Sequence, residues 1–409
     1  MARIYFDSNV FSKLRNNNIE KYKILNEVLI KYRNNLIFVF SHAHLRDKVN
    51  DLTDYKYLDF EFMQEFVIDN YLSYHLLEKY TSFYLTTPLE VFQDNDALVN
   101  VDFVMSFMGS TYKEVRALVE KGGKEIPYTV GETTYDLNLL FCDGKISDKF
   151  ADFIKNTLHH QDKSKIPFYD FYLQSYSMLD MLGFSRDGLS SKNSYNNIFN
   201  DSLHSYYARY CDYLVTEDDG LIKKSRLLYD KYQDSTNILT VDEFIDQVES
   251  IGCDTENSVT DVFRKLALDL FSGDTLSKNE ETGSVTYNIN PAQKYFNFFD
   301  NLMIIKSEAD DFYIFITKKE IHYQSSPNYR ECQMITNRMI EILGDDVNLN
   351  SKFDFHKETE EMQKETWLGR YWDFGDTTIR LLKTKESKEF CIQIGPLSKW
   401  PHLSRFLKK

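Results

Sequence analysis

An α/β fold built on a parallel sheet flanked by helices is predicted for residues 1–252, followed by a smaller α+β domain over 253–409. Three observations lead there. Short apolar runs at residues 2–6, 35–40, 212–216 and 236–241 have the texture of buried parallel strands, and segments of helical spacing lie between them. Only 15 Gly and 7 Pro occur in 409 residues, which favours long regular elements over flexible connectors. Past residue 252 the pattern changes to strand-like runs separated by polar turns, the mark of a different class of domain.

Taken in order, the run at 2–6 is the first strand. Tyr22, Leu25, Val28, Leu29 and Tyr32 then recur at helical spacing, and residues 35–40 form the second strand. Residues 55–200 read mainly as helix, including Phe60 to Tyr80 and Phe168 to Leu182. Gly122-Gly123 and Val130-Gly131 interrupt the pattern, and 126–142 fits a small hairpin. Residues from about 55 to 190 are thus expected to be a helical insertion in the first domain. The third strand is 212–216. A fourth at 236–241 leads into an amphipathic helix through Phe244, Ile245 and Val248. Ser272 to Thr286 is polar without periodicity and reads as a linker. Residues 311–323 and 366–395 read as antiparallel strands, with a helix at 329–343 packing across them. No internal repeat or low-complexity tract is present.

The composition, 42% hydrophobic and 27% charged, is that of a globular chain long enough for two domains. A net charge of −15 argues against non-specific coating of nucleic acid, which depends on neutralising phosphates. It does not argue against a nuclease, because carboxylates gathered for metal add to the acidic count. Cys142, Cys211, Cys253, Cys332 and Cys391 are scattered, with no C-x-x-C pair. A disulfide framework or structural zinc site is not expected, and a reducing cytoplasm fits best. The N-terminus runs straight into a strand, leaving no room for a signal peptide, and no apolar run reaches bilayer length. No membrane partner is expected.

Acidic residues stand where the strands end. Asp7 follows the first strand, with Asn9 two residues on; ligands collect outside the carboxyl ends of parallel strands. Ser41 follows the second strand as a helix cap, with His42 and His44 near the same edge and Asp47 and Asp51 further along. Asp201 opens a helix that also carries His204, Tyr206, Tyr207 and Tyr210. Glu217-Asp218-Asp219 closes the third strand after Thr216. Two carboxylates about 4 Å apart repel by about 4 kcal/mol at an effective dielectric near 20, so three in a row call for a compensating cation or a turn that separates them. Taken singly, each acid is also explained by helix capping or a solvated helix face. Oxygen ligands without cysteine would select Mg2+ or Mn2+ over zinc.

In this order the segments resemble the PIN-domain nuclease family: Asp7-Ser8-Asn9, then Ser41 with Asp47 six residues later, then Asp201-Ser202-Leu203-His204 with Ala208, then Tyr213-Leu214-Val215-Thr216 with Asp218. The resemblance covers residues 1–55 and about 190–250. It implies a metal-dependent ribonuclease whose catalytic and metal-binding acids are Asp7, Asp47, Asp201 and Asp218, with Asp219 as an extra ligand and Asn9, Ser41 and Thr216 in support. The second acid in the family is more often Glu, and the 154-residue step from Asp47 to Asp201 far exceeds what the bare fold needs. The implied chemistry is hydrolysis by water activated on one or two Mg2+ or Mn2+ ions. His204 would either touch substrate or pack in the core.

Weaker signals surround this set. Lys192, Lys223 and Lys224 could contact phosphates, as could Arg226, against the reading of a solvated helix face. Aromatic residues of the insertion could stack on unpaired bases, against the reading of core. Trp367, Trp372 and Trp400 could mark a ligand or partner surface, and Arg405, Lys408 and Lys409 a basic tail. The function expected is a cytoplasmic endoribonuclease, in a toxin-like or antiviral setting, whose second domain answers to a regulatory protein or ligand. Homo-oligomers are compatible with it. The alternatives are a structure-specific DNA nuclease with the same acids and a non-catalytic PIN-like scaffold that binds a protein partner.

Overall fold

The computed structural model describes residues 1–16, 18–49, 51–94, 116, 128–130, 133–142, 145–158, 162–185, 195–253, 256–272, 275–281, 284–306, 312–319, 327–384 and 389–397. The chain divides into two compact units. One comprises Arg3–Lys31 and Phe38–Gln247, the other Met1–Ala2, Tyr32–Ile37 and Val248–Lys409.

The strands lying wholly or mostly in the first unit are β1 (Ala2–Phe6), β2 (Leu36–Ser41), β3 (Asn70–His75) and β4 (Tyr80–Leu85). Two small hairpins follow, β5 (Tyr128–Val130) with β6 (Thr133–Tyr135) and β7 (Phe141–Cys142) with β8 (Lys145–Ile146). Then come β9 (Tyr213–Val215) and β10 (Asn237–Leu239). Six of these form the main sheet in the order β10-β9-β1-β2-β3-β4. β9 runs parallel to both β1 and β10, and β2 parallel to β3, while β4 returns antiparallel on β3. Helices flank this sheet, as expected for strands buried on both sides. The five residues of β1 and the six of β2 are all buried. Phe6 packs its ring on those of Phe11, Phe38 and Phe244, with centroids 5.2–5.5 Å apart.

The register places the site. Phe6 and Leu239 both lie opposite Val215, so β1, β9 and β10 end level with one another. Asp7 N–H donates to Val215 O and Thr216 N–H to Leu239 O, each at 3.0 Å, which extends the ladder one step. The chain then turns at once into the Ser8–Asn16 helix. Asp7 and Thr216 are therefore held rigidly at one sheet edge.

Two expectations are corrected. Residues 70–85 are a strand pair, so the sheet is mixed and the insertion is not mainly helical there. The helix Tyr55–Val67 stops at Ile68, whose φ of 56° is left-handed. Beyond it Tyr71, Leu72 and Phe83 are buried in a sheet, where aromatic side chains fit well. The polar stretch Ser272 to Thr286, expected as a linker, instead contributes the hairpin of β11 (Thr275–Glu281) and β12 (Ser284–Ile289). A hairpin at the border of a sheet needs no apolar alternation to pair its backbone. Gly122 and Gly123 lie outside the described residues.

The second unit completes its sheet with β13 (Asn301–Lys306), β14 (Phe312–Thr317), β15 (Arg370–Asp373), β16 (Thr378–Lys383) and β17 (Phe390–Gly395). The order is β11-β12-β13-β14-β17-β16-β15, antiparallel throughout. Leu302 and Ile304 of β13, Ile314 and Ile316 of β14, and Ile392 and Ile394 of β17 alternate into its core. The helix Tyr329–Leu343 buries Cys332, Ile335, Met339 and Ile342, one face at helical spacing. Trp372 is core, its indole N–H donating to Gly344 O at 2.8 Å. Trp367 donates to Glu358, which also pairs with the buried Arg370. Trp400, Arg405, Lys408 and Lys409 lie outside the described residues. Among the described residues no helix is long and apolar enough to cross a membrane.

Candidate metal centre

Three side chains meet at the end of β1. His204 Nε2 lies 2.8 Å from Asp47 Oδ2 and 3.9 Å from Asp7 Oδ1. Ligand atoms of Asp7, Asp47 and His204 all fall within 4.8 Å of one another. Donors at about 2.1 Å around a small divalent ion stand at most about 4.2 Å apart, so modest side-chain movement would let these three grip one. Two carboxylates and an imidazole are a chemically sound donor set for such an ion.

Each ligand is held by its neighbours. Asp7 Oδ2 accepts a hydrogen bond from Thr216 Oγ1 at 3.0 Å, and Asn9 Nδ2 lies 3.4 Å from the same oxygen. Thr216 Oγ1 in turn accepts from Asp218 N–H at 3.0 Å. Asp47 ends the short helix His42–Arg46, whose first turn Ser41 caps: the hydroxyl accepts from Ala43 N–H while Ser41 N–H donates to His44 Nδ1. The His44 Nε2–H donates to Phe6 O at 2.7 Å, so this ring is neutral. Burial, with His204's charge, pushes its pKa down to about 3.

Asn200 fixes the other oxygen of Asp47. Its Nδ2 donates to Asp47 Oδ1 at 2.9 Å and its Oδ1 accepts from Arg46 Nε at 3.0 Å. The guanidinium can only donate, so the amide cannot flip and must present N–H to Asp47. Asn200→Ala should lower Mn2+ affinity by about 10–100-fold, the usual cost of losing a hydrogen-bond partner behind a metal ligand. Calorimetric Mn2+ titration checks this, and an unchanged affinity would show that Asp47 needs no such support.

The electrostatics are those of a crowded acid site. Burial raises the pKa of Asp7, and the charges of Asp47 and Asp218 add to it against the relief given by His204 and Thr216. Asp201 is pushed well up by burial and then by Asp218, Asp7 and Asp47, with His204 opposing. Asp47, whose side chain is 27% exposed, still loses some hydration to its neighbours, but His204's charge and hydrogen bond, helped by Ser8 and His44, outweigh this and lower its pKa. His204 is pulled down by burial and more than restored by Asp47, Asp7 and Asp201, ending above the usual histidine value. In the metal-free chain His204 is the counter-charge of the cluster.

The expected residues separate into distinct groups. Asp7 and Asp47 come together, with His204 between them. Asp201 and Asp218 are near enough for their charges to matter but lie outside the close three-residue set among the described residues. Asp218 caps its helix, accepting from Leu221 N–H at 2.7 Å. Asp219 is 89% exposed and pairs with Lys223 at 3.6 Å. Glu217 accepts from Lys21 and from Val241 N–H, each at 2.8 Å. The consecutive acids at 217–219 are thus spread by the turn, and their adjacency needs no cation. Lys224 is a correction: it is fully buried, 3.0 Å from Asp180, and cannot serve as a phosphate contact. Arg116 completes that buried group at 3.2 Å from Asp180. Lys192 lies outside the described residues.

Sequence reading gave no role to Tyr5 or Asn200, and it placed His44 near this edge and Ser8 in the first motif without assigning either a contact. Tyr5 and Arg3 are the two polar-tipped residues inside the β1 apolar run, a signal that could have drawn attention to Tyr5. Asn200 gave no signal beyond its place before Asp201. No protein-family model matches the chain, and neither curated proteins nor solved structures give a match.

Proposed function

We propose that this chain is a divalent-metal-dependent nuclease that hydrolyses phosphodiester bonds, with RNA as its substrate. The observation that supports this most is the convergence of Asp7, Asp47 and His204 at the end of β1, with Asp201 and Asp218 close enough to oppose ionisation there. His204 relieves part of the repulsion among these acids, and a bound cation would relieve more of it.

Asp7, Asp47 and His204 would hold Mg2+ or Mn2+. Bound there, the ion would neutralise charge developing on a phosphate and lower the pKa of water. Thr216 and Asn200 keep the two carboxylates aimed inward. Asp201, whose carboxyl is pushed well above the usual range by burial and by its acidic neighbours, would be the group that carries a proton in this reaction. The test is incubation of the full chain with labelled single-stranded RNA and, separately, DNA, in Mn2+, Mg2+ or EDTA. Cleavage of RNA that EDTA stops is the expected result. Cleavage of DNA alone would favour the DNA nuclease, and no cleavage of either would leave a scaffold.

A further inference from the structure

We propose that His204 is a direct metal ligand through Nε2, and that the resulting two-carboxylate, one-imidazole set selects a first-row transition ion such as Mn2+ over Mg2+. This rests on the metal-centre reading above and deepens it by naming which ion the site prefers.

The geometry of the ring carries the inference. His204 is 1% exposed and its Nδ1 lies 2.9 Å from the Tyr5 hydroxyl. That hydroxyl is itself 2.7 Å from Ser41 Oγ. Tyr5 can accept the Nδ1 proton and donate its own to Ser41, a chain that fixes the tautomer and the ring plane. The His44 ring meets it edge-on, with centroids 4.9 Å apart at 87°. Rotation is therefore blocked, and Nε2 is left facing Asp47 Oδ2, Ser8 Oγ at 3.4 Å and Asp7 Oδ1.

Such an arrangement differs from a histidine that only fills core. Both nitrogens have partners, Nδ1 the Tyr5 hydroxyl and Nε2 the Asp47 carboxylate at 2.8 Å, but the Nε2 partner is an anion that a cation can share once the ring gives up that proton. Imidazole nitrogen is a poor ligand for Mg2+, which demands oxygen and keeps its water, whereas first-row transition ions accept it readily.

The experiment uses the full chain with Mn2+ as probe and Mg2+ as competitor. Pulsed electron paramagnetic resonance on bound Mn2+ should show nitrogen coupling that changes isotope when the histidines are labelled with 15N. His204→Leu should weaken Mn2+ binding by a larger factor than Mg2+ binding. Tyr5→Phe, which frees the ring, should cost about 10–100-fold in Mn2+ affinity. If His204→Leu fails to fold, the nitrogen coupling of the wild-type chain decides alone. Mn2+ bound without nitrogen coupling, or equal losses for both ions in His204→Leu, would overturn the inference while leaving the nuclease reading intact. Nitrogen-coupled Mn2+ without cleavage of RNA or DNA would do the reverse. A chain that binds neither ion would overturn both.

Discussion

Asp7→Asn is expected to abolish divalent-ion binding and phosphodiester cleavage while the folded chain gains stability in EDTA. The amide oxygen can still accept from Thr216, so the strand-end geometry survives and only the charge is lost. The sign of the stability change follows from proton linkage. Asp7 and Asp201 have folded pKa values above the ordinary 3.8, so folding takes up protons. Their favourable contribution is complete below the unfolded value and is lost as pH rises through the folded one. His204, raised above 6.5, acts in the same direction at higher pH. Asp47 acts oppositely: its lowered pKa contributes stability above 3.8 that is lost only as pH falls through the folded value.

The metal-free wild-type chain should therefore lose stability as pH rises from about 4 towards neutrality, by up to about 1.4 kcal/mol per pH unit for each proton involved. In Mn2+ the slope should flatten or reverse, because the ion replaces the protons. Asp7→Asn should show the smaller slope in EDTA and no response to Mn2+. Differential scanning calorimetry across pH, with and without metal, measures both. A lower melting temperature of Asp7→Asn in EDTA would show instead that the carboxylate is mainly a structural hydrogen-bond acceptor.

Lys224→Met should destabilise the fold by about 3–5 kcal/mol, the range for removing one partner of a buried ion pair. Lys224 and Asp180 are both fully buried, and the substitution leaves the Asp180 carboxylate with Arg116 as its remaining cation among the contacts described. Chemical denaturation gives the value. Lys223→Met, on the exposed side of the same helix, should change stability by less than about 0.5 kcal/mol. The reverse ranking, or a Lys224→Met chain of normal stability with weaker nucleic-acid binding, would restore Lys224 to the phosphate-contacting role that its sequence position invites.

The parallel strands at 2–6, 212–216 and 236–241 were legible because each is a short apolar run bounded by polar residues, and burial on both faces imposes that pattern. Residues 70–85 were not: Tyr- and Phe-rich segments satisfy helical and strand spacing equally, and only the available edge of β2 decides between them. Asp7 could be picked out because an acid immediately beyond a strand in an α/β chain has few places to point, and Asp47 because its spacing from Ser41 matches the family it resembles. Asn200 and Tyr5 could not, because their roles depend on Arg46, Ser41 and His204, which are brought to them from elsewhere in the chain.

Lys223 and Lys224 show where local pattern stops. Adjacent lysines on a helix have the same composition signal, yet they point about 100° apart, so one meets Asp219 in solvent and the other Asp180 in the interior. Periodicity, strand ends and the acids beyond them are local properties, and the amino-acid order alone determined them. Which acids come together, which cap a helix, and that a histidine stands among them were decided by tertiary structure, because those contacts join residues up to about 200 positions apart and no local rule encodes a distance across the fold.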